Sequence, residues 1–514
     1  MKILASIAIL IIASSEVCAQ EPADALRYSW LTQNGTARNQ AIGGASGSLG
    51  GEFSTMFVNP AGIGFFKTSE FVFTPYYNMQ KNKSSYRQTL EKASKNNFNL
   101  GTTGFLFSIP AYHNSNIKNF TIGLGINRVA DFNSRISFNG SNNKSSYSEK
   151  YLEELVYNNV TNPDSAAFTF PFGSSLALNT YVIDTTEAAD GSISGYKSLA
   201  SVATGLNQQS TIITSGGVTD ISLAGAVNLK DKLFLGGSLS IPVVNYDRRS
   251  AFKESDATAN SSNNFNYFEV TETLKTQGFG VNGKLGVIYK PVEYVRLGLA
   301  FHSPTIYQLT DKYTAEISSD LEGYGGAGIK KQNSGVFTSD VPGESKYKLS
   351  TPWKVIASAS YVFREVANVK KQRAFITADV EYVNYKAAGF EVINDANNDQ
   401  ADTKKYFTQL NATIDKEYKS AFNFRLGGEL KFNTIMFRLG GAYYSNPYKN
   451  EKASRVKLGG GLGYRNKGIF IDVAYVHTVN KDVHYPYRLQ DNSYDRAFIK
   501  NNAGNIVATI GFKI

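Results

Sequence analysis

A strict alternation of apolar and polar residues along most of the chain constrains its fold more than any other feature. The last segment shows it most plainly, with one face made of Ile506, Ala508, Ile510, Phe512 and Ile514. Residues 418–432 and 453–466 alternate in the same way. A period of two residues is the period of a β-strand. The sequence therefore predicts an all-β protein.

The spacing of the alternating segments indicates which kind of all-β protein. Fourteen strands are predicted, at 69–80, 98–110, 117–137, 217–229, 232–254, 264–290, 293–316, 346–364, 371–388, 418–432, 435–446, 453–466, 468–479 and 504–514. The longest connections are 81–97, 138–216, 317–345, 389–417 and 480–503, and they alternate with short turns such as 228–231 and 466–468. Short turns at one end, long loops at the other and an even strand number are typical of transmembrane barrels.

We therefore predict a 14-stranded antiparallel transmembrane β-barrel over residues 69–514. Closure leaves no unpaired strand edge in the lipid. Several strands exceed the roughly 10 residues that a tilted span needs, so their outer ends are expected to project beyond the bilayer. A soluble β-sandwich is the alternative, but such a protein has no reason to keep its long loops at one end.

The chain begins like an exported protein. Lys2, the apolar run 3–13 and the small residues before Gln20 predict a signal peptide at 1–19. Cys18 is the single cysteine, so the mature chain is expected to form no disulfide. A lipoprotein acylated at Cys18 is the alternative. The net charge of +10 is scattered along the chain, which indicates contact with anionic lipid head groups and no nucleic-acid partner.

Residues 20–68 lack strand periodicity and are predicted to form a plug, or hatch, inside the barrel. Their glycines and alanines allow close backbone packing. An apolar cluster would be exposed if the segment were a free periplasmic tail, which is the alternative interpretation. The cluster comprises Phe53, Met56, Phe57, Ile63, Phe65 and Phe66.

The region around residue 59 resembles the FadL/TodX family of outer-membrane transporters for long-chain fatty acids and hydrocarbons. The similar segments are Asn59-Pro60-Ala61, the small-residue runs 41–45 and 51–58 before it, and the later stretches 286–304 and 349–353. The resemblance covers nearly all of the mature chain, and the predicted strand number equals the family's. Two features depart from the pattern: the very long 138–216 loop, and Ile514 at the end of the chain, where an aromatic residue is usual.

The resemblance implies a mechanism. A hydrophobic ligand is captured by the outer loops, binds inside the barrel against the apolar hatch cluster, shifts the hatch, and leaves sideways into the bilayer beside a bent third strand. Gly123 and Gly125 lie on that strand, where they either bulge it or only ease packing. The resemblance also implies a monomer in the outer membrane of a Gram-negative bacterium, in contact with outer-membrane lipid and inserted by the barrel-assembly machinery.

Other motifs give little support for catalysis, a cofactor or a metal. His113, His302, His477 and His484 lack partners at metal-ligand spacing, although a haem-ligand role stays open for His484. Residues 323–328 have dinucleotide-motif spacing without the required βαβ unit, and 395–399 begins like a calcium loop without its later ligands. No enzyme is predicted.

Two further groups of residues carry open alternatives. Residues 148–157 have helical character and either cover the pore mouth or pack within their own loop. Inward-facing charges are predicted to neutralise one another across strands, or to offer an arginine to a fatty-acid carboxylate. These charges are Lys284, Arg296, Asp379, Glu381, Arg425, Glu429, Arg438, Arg455, Lys457 and Asp472. The alternative function is a surface receptor or adhesin that binds through the long loops, haemin-type ligands included.

Overall fold

A computed structural model describes residues 22–111, 116–258, 260–363, 373–393, 401–491 and 493–514. The predicted signal peptide at 1–19, His113 and the acidic segment 395–399 lie outside the described residues.

Antiparallel strands make up most of the described chain. In chain order they are β1 (Glu70–Tyr86), β2 (Thr89–Pro110), β3 (Ile117–Asp131), β4 (Ser134–Asn142), β5 (Ile183–Glu187), β6 (Ile193–Ser198), β7 (Leu206–Leu229), β8 (Leu233–Asp256), β9 (Tyr267–Val292), β10 (Val295–His302), β11 (Ile306–Asp320), β12 (Lys330–Asn333), β13 (Gly343–Ser350), β14 (Lys354–Phe363), β15 (Ala374–Asn384), β16 (Gly389–Val392), β17 (Ser420–Phe432), β18 (Ile435–Tyr444), β19 (Ser454–Asn466), β20 (Ile469–His484) and β21 (Ala497–Lys513).

The helices precede or connect the strands, and all of those in the described chain except α8 have nine residues or fewer. They are α1 (Pro22–Arg27), α2 (Ala37–Ala41), α3 (Thr55–Val58), α4 (Glu149–Tyr157), α5 (Pro163–Thr169), α6 (Ser174–Asn179), α7 (Gly335–Thr338) and α8 (Ala401–Glu417), with 3₁₀ helices at Pro60–Phe65 and Tyr385–Ala387. Among the described residues, no helix is both long enough and apolar enough to cross a lipid bilayer.

The strands close into one barrel. The last strand pairs with the first from Glu70 opposite Lys513 to Ser85 opposite Phe498. Fourteen spans result when β3 with β4, β10 with β11, β13 with β14 and β15 with β16 are each taken as one interrupted span, and when the four-residue strand β12, which pairs with the end of β11, is not counted as a span. Each span pairs with its neighbours along the chain, so the predicted 14-stranded antiparallel barrel is confirmed.

The predictions of outer loops at 81–97 and 480–503 are wrong, because strands continue into both stretches. Residues 81–97 form the ends of β1 and β2, joined by a tight turn in which Arg87 and Gln88 have positive φ. Much of 480–503 likewise belongs to β20 and β21. In these outer ends the backbone ladder continues with polar residues on both faces, as where Lys83 opposes Lys92. The apolar alternation that marks a membrane strand is absent there, so the sequence pattern stops before the strand does.

The strand β8 shows where the membrane-facing surface ends. Its outward residues Leu239, Ile241 and Val243 are exposed and apolar, and the next outward residues are the polar Asn245, Asp247 and Arg249. An apolar outer band bounded by polar residues is the lipid-facing belt of an outer-membrane barrel. The outer end of the strand therefore projects beyond the bilayer, as predicted.

A helical cap, residues 143–205, covers the projecting strand ends. Its core joins Tyr151 and Leu155 of α4 to Phe252 of β8 and Ile317 of β11. The predicted helix at 148–157 is thus present as α4, with Tyr151 and Leu155 buried and Val156 74% exposed. Packing within the cap accounts for this helix.

The cap is also joined to the wall by a buried carboxyl group. Glu254 is fully buried and accepts hydrogen bonds from the backbone N–H of Tyr147 at 2.8 Å and from Gln208 Nε2 at 2.7 Å. It lies on β8 well beyond Val243, outside the lipid-facing belt. Burial raises the pKa of Glu254 to about 7.

Candidate functional site: hatch, chamber and seam

Residues 22–66, called the hatch below, are buried in the lumen, and Asn59 fixes them to the wall. The Asn59 side chain begins the 3₁₀ helix by accepting a hydrogen bond from the Ala61 N–H at 3.2 Å. Its Nδ2 donates to the Gly47 carbonyl at 2.6 Å and to the Val287 carbonyl of β9 at 3.2 Å. One fully buried amide thus joins two hatch segments to the barrel.

Wall glycines allow the hatch backbone to approach this closely. A Cβ at Gly286 would lie 1.8 Å from Asn59 Oδ1, and one at Gly236 would lie 2.5 Å from the Ala61 nitrogen. A Cβ at Gly298 would lie 2.3 Å from the Gly47 carbonyl oxygen. These inward glycines are functional residues that the sequence interpretation missed. The sequence pattern that could have revealed them is a glycine at a lumen-facing position of an alternating strand.

A second set of wall glycines contacts the end of α2, and each of the two sets is called a glycine seat below. Gly427, Gly440 and Gly459 are register partners on β17, β18 and β19. A Cβ at any of the three would lie 2.2 to 2.5 Å from backbone atoms of residues 40–42. The hatch is therefore seated on opposite sides of the lumen by small-residue contacts.

The predicted apolar cluster of the hatch packs mainly against the wall. Phe53, Met56, Phe57, Ile63 and Phe66 are buried and share a core with wall residues of several strands. Phe65 stacks on Phe234 of β8 with 3.7 Å between ring centroids. Of these six residues, Phe57 also lines the cavity described below. The cluster is the hydrophobic contact between hatch and barrel.

Most of the charged side chains that were predicted to face the lumen are paired with an opposite charge, as the first alternative predicted. Glu429 accepts hydrogen bonds from Arg38 of the hatch at 2.9 Å and from Arg438 at 2.6 Å. Arg438 also bonds Asp472 at 2.6 Å. A buried ion network therefore ties α2 to strands β17, β18 and β20.

Next to this network, on the neighbouring strand β15, Asp379 accepts hydrogen bonds from the backbone of the hatch. The N–H groups of Ser46 and Gly47 each donate to Asp379 Oδ2 at 3.2 Å. Arg425 lies 3.5 Å from Asp379 and 3.2 Å from Glu381. Both carboxylates and their shared cation are buried, so Arg425 already has its anionic partners.

Two cavities, of about 100 and 230 Å³, flank hatch residues 31–34 and are together called the chamber. The smaller reaches His302, whose Nε2 lies 2.7 Å from the Val58 carbonyl oxygen. The larger is lined by Trp30, Tyr76, Asn127 and Arg455, among other residues. Arg455 lies 3.8 Å over the Trp30 ring. The chamber is a space beside the hatch with both polar and aromatic walls.

The wall beside the larger cavity is not closed by backbone pairing. Within the described chain, the pairs between β2 and β3 end at Thr103 opposite Ile126. Beyond that point β2 continues to Thr89 in register with β1, while residues 127–142 follow β7. We call this stretch, between 89–102 and 127–142, the seam.

Side chains close the seam. Thr102 Oγ1 donates to Asn127 Oδ1 at 2.8 Å, and Asn139 Nδ2 donates to Glu91 Oε1 at 2.6 Å near the outer end. Between these two contacts lies Asp131, the last residue of β3. Several amide side chains donate to its carboxylate.

The third strand bends at a different place from the one expected. Pairing is regular at Gly123 and Gly125, and the register shifts between Arg128 and Ala130. A Cβ at Gly125 would lie 3.0 Å from the ring of Phe53, so the glycines make room for the hatch. This corresponds to the packing alternative.

The remaining candidate residues do not assemble into a site. His484 belongs to the end of β20 and lies beside Phe138, with ring centroids 5.9 Å apart. His477 pairs in regular register within β20, and 323–328 lies in the connection between β11 and β12. Within the described residues, no group of three or more His, Cys, Asp or Glu side chains is placed to hold a metal ion.

The fold and the lumen define a class: a closed outer-membrane β-barrel whose own N-terminal segment lies inside it. A family model described as outer membrane protein transport protein (OMPP1/FadL/TodX) matches residues 189–510, more than half of the chain. The chain belongs to this family. It is therefore a transport protein of the Gram-negative outer membrane and not an enzyme.

Solved structures show the same fold at low sequence identity. A FadL homologue from Pseudomonas aeruginosa is 14% identical, with 93% of this chain and 98% of that chain covered and a TM-score of 0.50. The toluene transporter TodX from Pseudomonas putida is 13% identical, with 94% and 99% covered and a TM-score of 0.51. No curated protein matches the chain in sequence.

Proposed function

We propose that the protein takes up hydrophobic small molecules, long-chain fatty acids among them, by passive diffusion. The molecule enters the chamber from the outer side, the hatch (residues 22–66) shifts, and the molecule leaves sideways through the seam into the bilayer. The seam is the observation that carries this proposal. It is a stretch of wall held by side chains, directly beside the larger cavity.

The position of the seam supports a sideways exit. The outward residues Leu100 of β2 and Leu124 of β3 flank its inner end and are exposed and apolar. An apolar molecule that passes there meets lipid at once and avoids the aqueous periplasm, so its transfer is favourable. A route straight through the barrel would require the whole hatch to leave the lumen. The hatch would then lose its contacts with the wall glycines and its buried ion pairs.

The charges of the chamber favour an amphiphile with an anionic head. Arg425 and Arg438 already contact carboxylates, whereas Lys457 Nζ donates to neutral oxygens, those of Gln33 at 2.9 Å and Asn34 at 3.2 Å. Arg455 likewise donates to the Trp30 carbonyl oxygen. Each of these two cations gains a charged partner if a fatty-acid carboxylate enters.

A disulfide across the seam tests the exit. Thr102 and Asn127 are replaced by cysteine in a Cys18→Ser background, so that the introduced thiols are the only ones in the chain. The matched control is Ser222→Cys with Ser240→Cys, a pair 2.6 Å apart across the intact ladder of β7 and β8. Uptake of labelled oleate is measured in cells that lack their own fatty-acid channel, before and after reduction.

We expect the oxidised seam pair to lose uptake and to regain it on reduction, while the control pair transports in both states. Normal uptake through the oxidised seam would contradict the proposed exit. Rapid passage of small sugars through the unmodified protein would contradict a plugged channel.

A further inference from the structure

Asp131 is the centre of the side-chain contacts that cross the seam. Its Oδ2 accepts hydrogen bonds from Asn97 and Asn99 of β2, both at 2.9 Å. The same oxygen accepts from Tyr76 of β1 at 3.1 Å and from Asn78 at 3.4 Å. The backbone of β2 is not paired with β3 at this level, so these bonds join the two sides of the opening.

The other oxygen of Asp131 holds the bend of the strand. Asp131 Oδ1 accepts from the Asn133 backbone N–H at 3.0 Å and from Asn133 Nδ2 at 2.7 Å. These bonds fix the break between β3 and β4. One carboxylate therefore stabilises the bend between β3 and β4 and also binds β2 across the seam.

We propose that Asp131 is the latch of the seam: its carboxylate holds β2 against the bent end of β3, and release of the Asn97 and Asn99 amides opens the wall. Asp131 is a positioning residue, because it acts on the strands that border the exit. The idea rests on the proposed sideways exit and adds the residue that controls it. Hydrogen bonds to a charged acceptor are about twice as strong as neutral ones, so the charge itself matters.

The test measures seam opening directly. A single cysteine at the fully buried Thr102 reports opening by its rate of reaction with a bilayer-soluble maleimide. Asp131→Asn keeps the shape of the side chain and removes its charge. Asp311→Asn is the matched control, because Asp311 is a buried lumen carboxylate on strand β11, which pairs in regular register with β9 and β13. Variants are compared after a heat-dependent gel shift shows that their barrels are folded.

We expect Asp131→Asn to raise the reaction rate at position 102 by roughly tenfold or more, the size expected for loss of a hydrogen bond to a charged group. Asp311→Asn should leave that rate unchanged. The double variant Asn97→Ala/Asn99→Ala removes the donors of β2 and should raise the rate in the same way. The double variant also tests the latch if Asp131→Asn does not fold.

The latch is overturned if position 102 reacts no faster in Asp131→Asn, or in Asn97→Ala/Asn99→Ala, than in Asp311→Asn. This labelling rate reports on the latch, whereas uptake through the disulfide-locked seam reports on the exit. A failure of one proposal is therefore distinguishable from a failure of the other. An increase in oleate uptake that accompanies faster labelling would connect the latch to transport.

Discussion

Replacement of Gly286 by alanine is the sharpest test of how the hatch is held. The new Cβ would lie 1.8 Å from Asn59 Oδ1, so the Asn59 side chain must leave its position. It would then lose its bonds to the Gly47 and Val287 carbonyls and to the Ala61 N–H. Each buried partner left unsatisfied costs about 1 to 3 kcal/mol, so the loss of these three bonds should weaken hatch docking by about 3 to 9 kcal/mol.

The matched control is Gly283→Ala on the same strand. A Cβ at Gly283 would have its nearest contact at 3.8 Å, which is ordinary van der Waals distance. Single-channel conductance in planar bilayers measures displacement of the hatch, because ions cross the barrel when the lumen clears. We expect long open events in Gly286→Ala and none beyond the wild-type level in Gly283→Ala.

The effects of Gly286→Ala and Asn59→Ala on conductance should also be non-additive. Because Asn59→Ala removes the same three hydrogen bonds, adding it to Gly286→Ala should increase conductance little further. Equal, wild-type conductance in Gly286→Ala and Gly283→Ala would refute the view that this glycine seat holds the hatch closed.

Two further predictions concern buried carboxyl groups. Glu429→Gln leaves Arg38 and Arg438 buried without their shared carboxylate, which should weaken hatch docking by about 3 to 5 kcal/mol and speed proteolysis of residues 22–66. Glu344→Gln, in an exposed ion pair, should change it by less than about 1 kcal/mol, and equal proteolysis of the two variants would contradict the network's role. The pKa of Glu254 is raised to about 7, so cap stabilisation is present below pH 4.5 and is lost as the pH rises towards 7, by about 3 kcal/mol. Hydrogen exchange in 143–205 should therefore be slower at pH 5 than at pH 8 after correction for intrinsic rates, and Glu254→Gln should remove the difference; a wild-type cap with equal protection at both values would contradict this.

The barrel could be predicted from the sequence because the membrane imposes a local rule. Where one strand face meets lipid, every second residue is apolar, and the count of fourteen spans follows from that alternation alone. The outer strand ends beyond the bilayer obey no such rule. The pairing of Lys83 with Lys92 illustrates this, because without the apolar alternation this hairpin has the sequence character of a loop.

The hatch could be predicted only as a compact segment. Its composition and the Asn59-Pro60-Ala61 motif indicated where it lies along the chain, but its seats depend on residues far away in sequence. Asn59 meets Gly286, more than two hundred positions later, and no local pattern connects the two. The same limit applies to Gly123 and Gly125. The sequence does not show that hatch side chains lie beside these glycines, so it does not separate a role in packing from a bend of the strand.

Photolabelling with a diazirine-bearing fatty acid, applied to the Thr102→Cys/Asn127→Cys protein, tests the sideways exit most directly. With the disulfide reduced, we expect adducts both in the chamber, at Trp30 or Tyr76, and on the lipid side of the seam, at Leu100 or Leu124. With the disulfide formed, chamber adducts should increase and adducts at the two leucines should fall. Equal labelling of Leu100 and Leu124 in the oxidised and reduced proteins, with uptake intact in both, would contradict the exit through the seam.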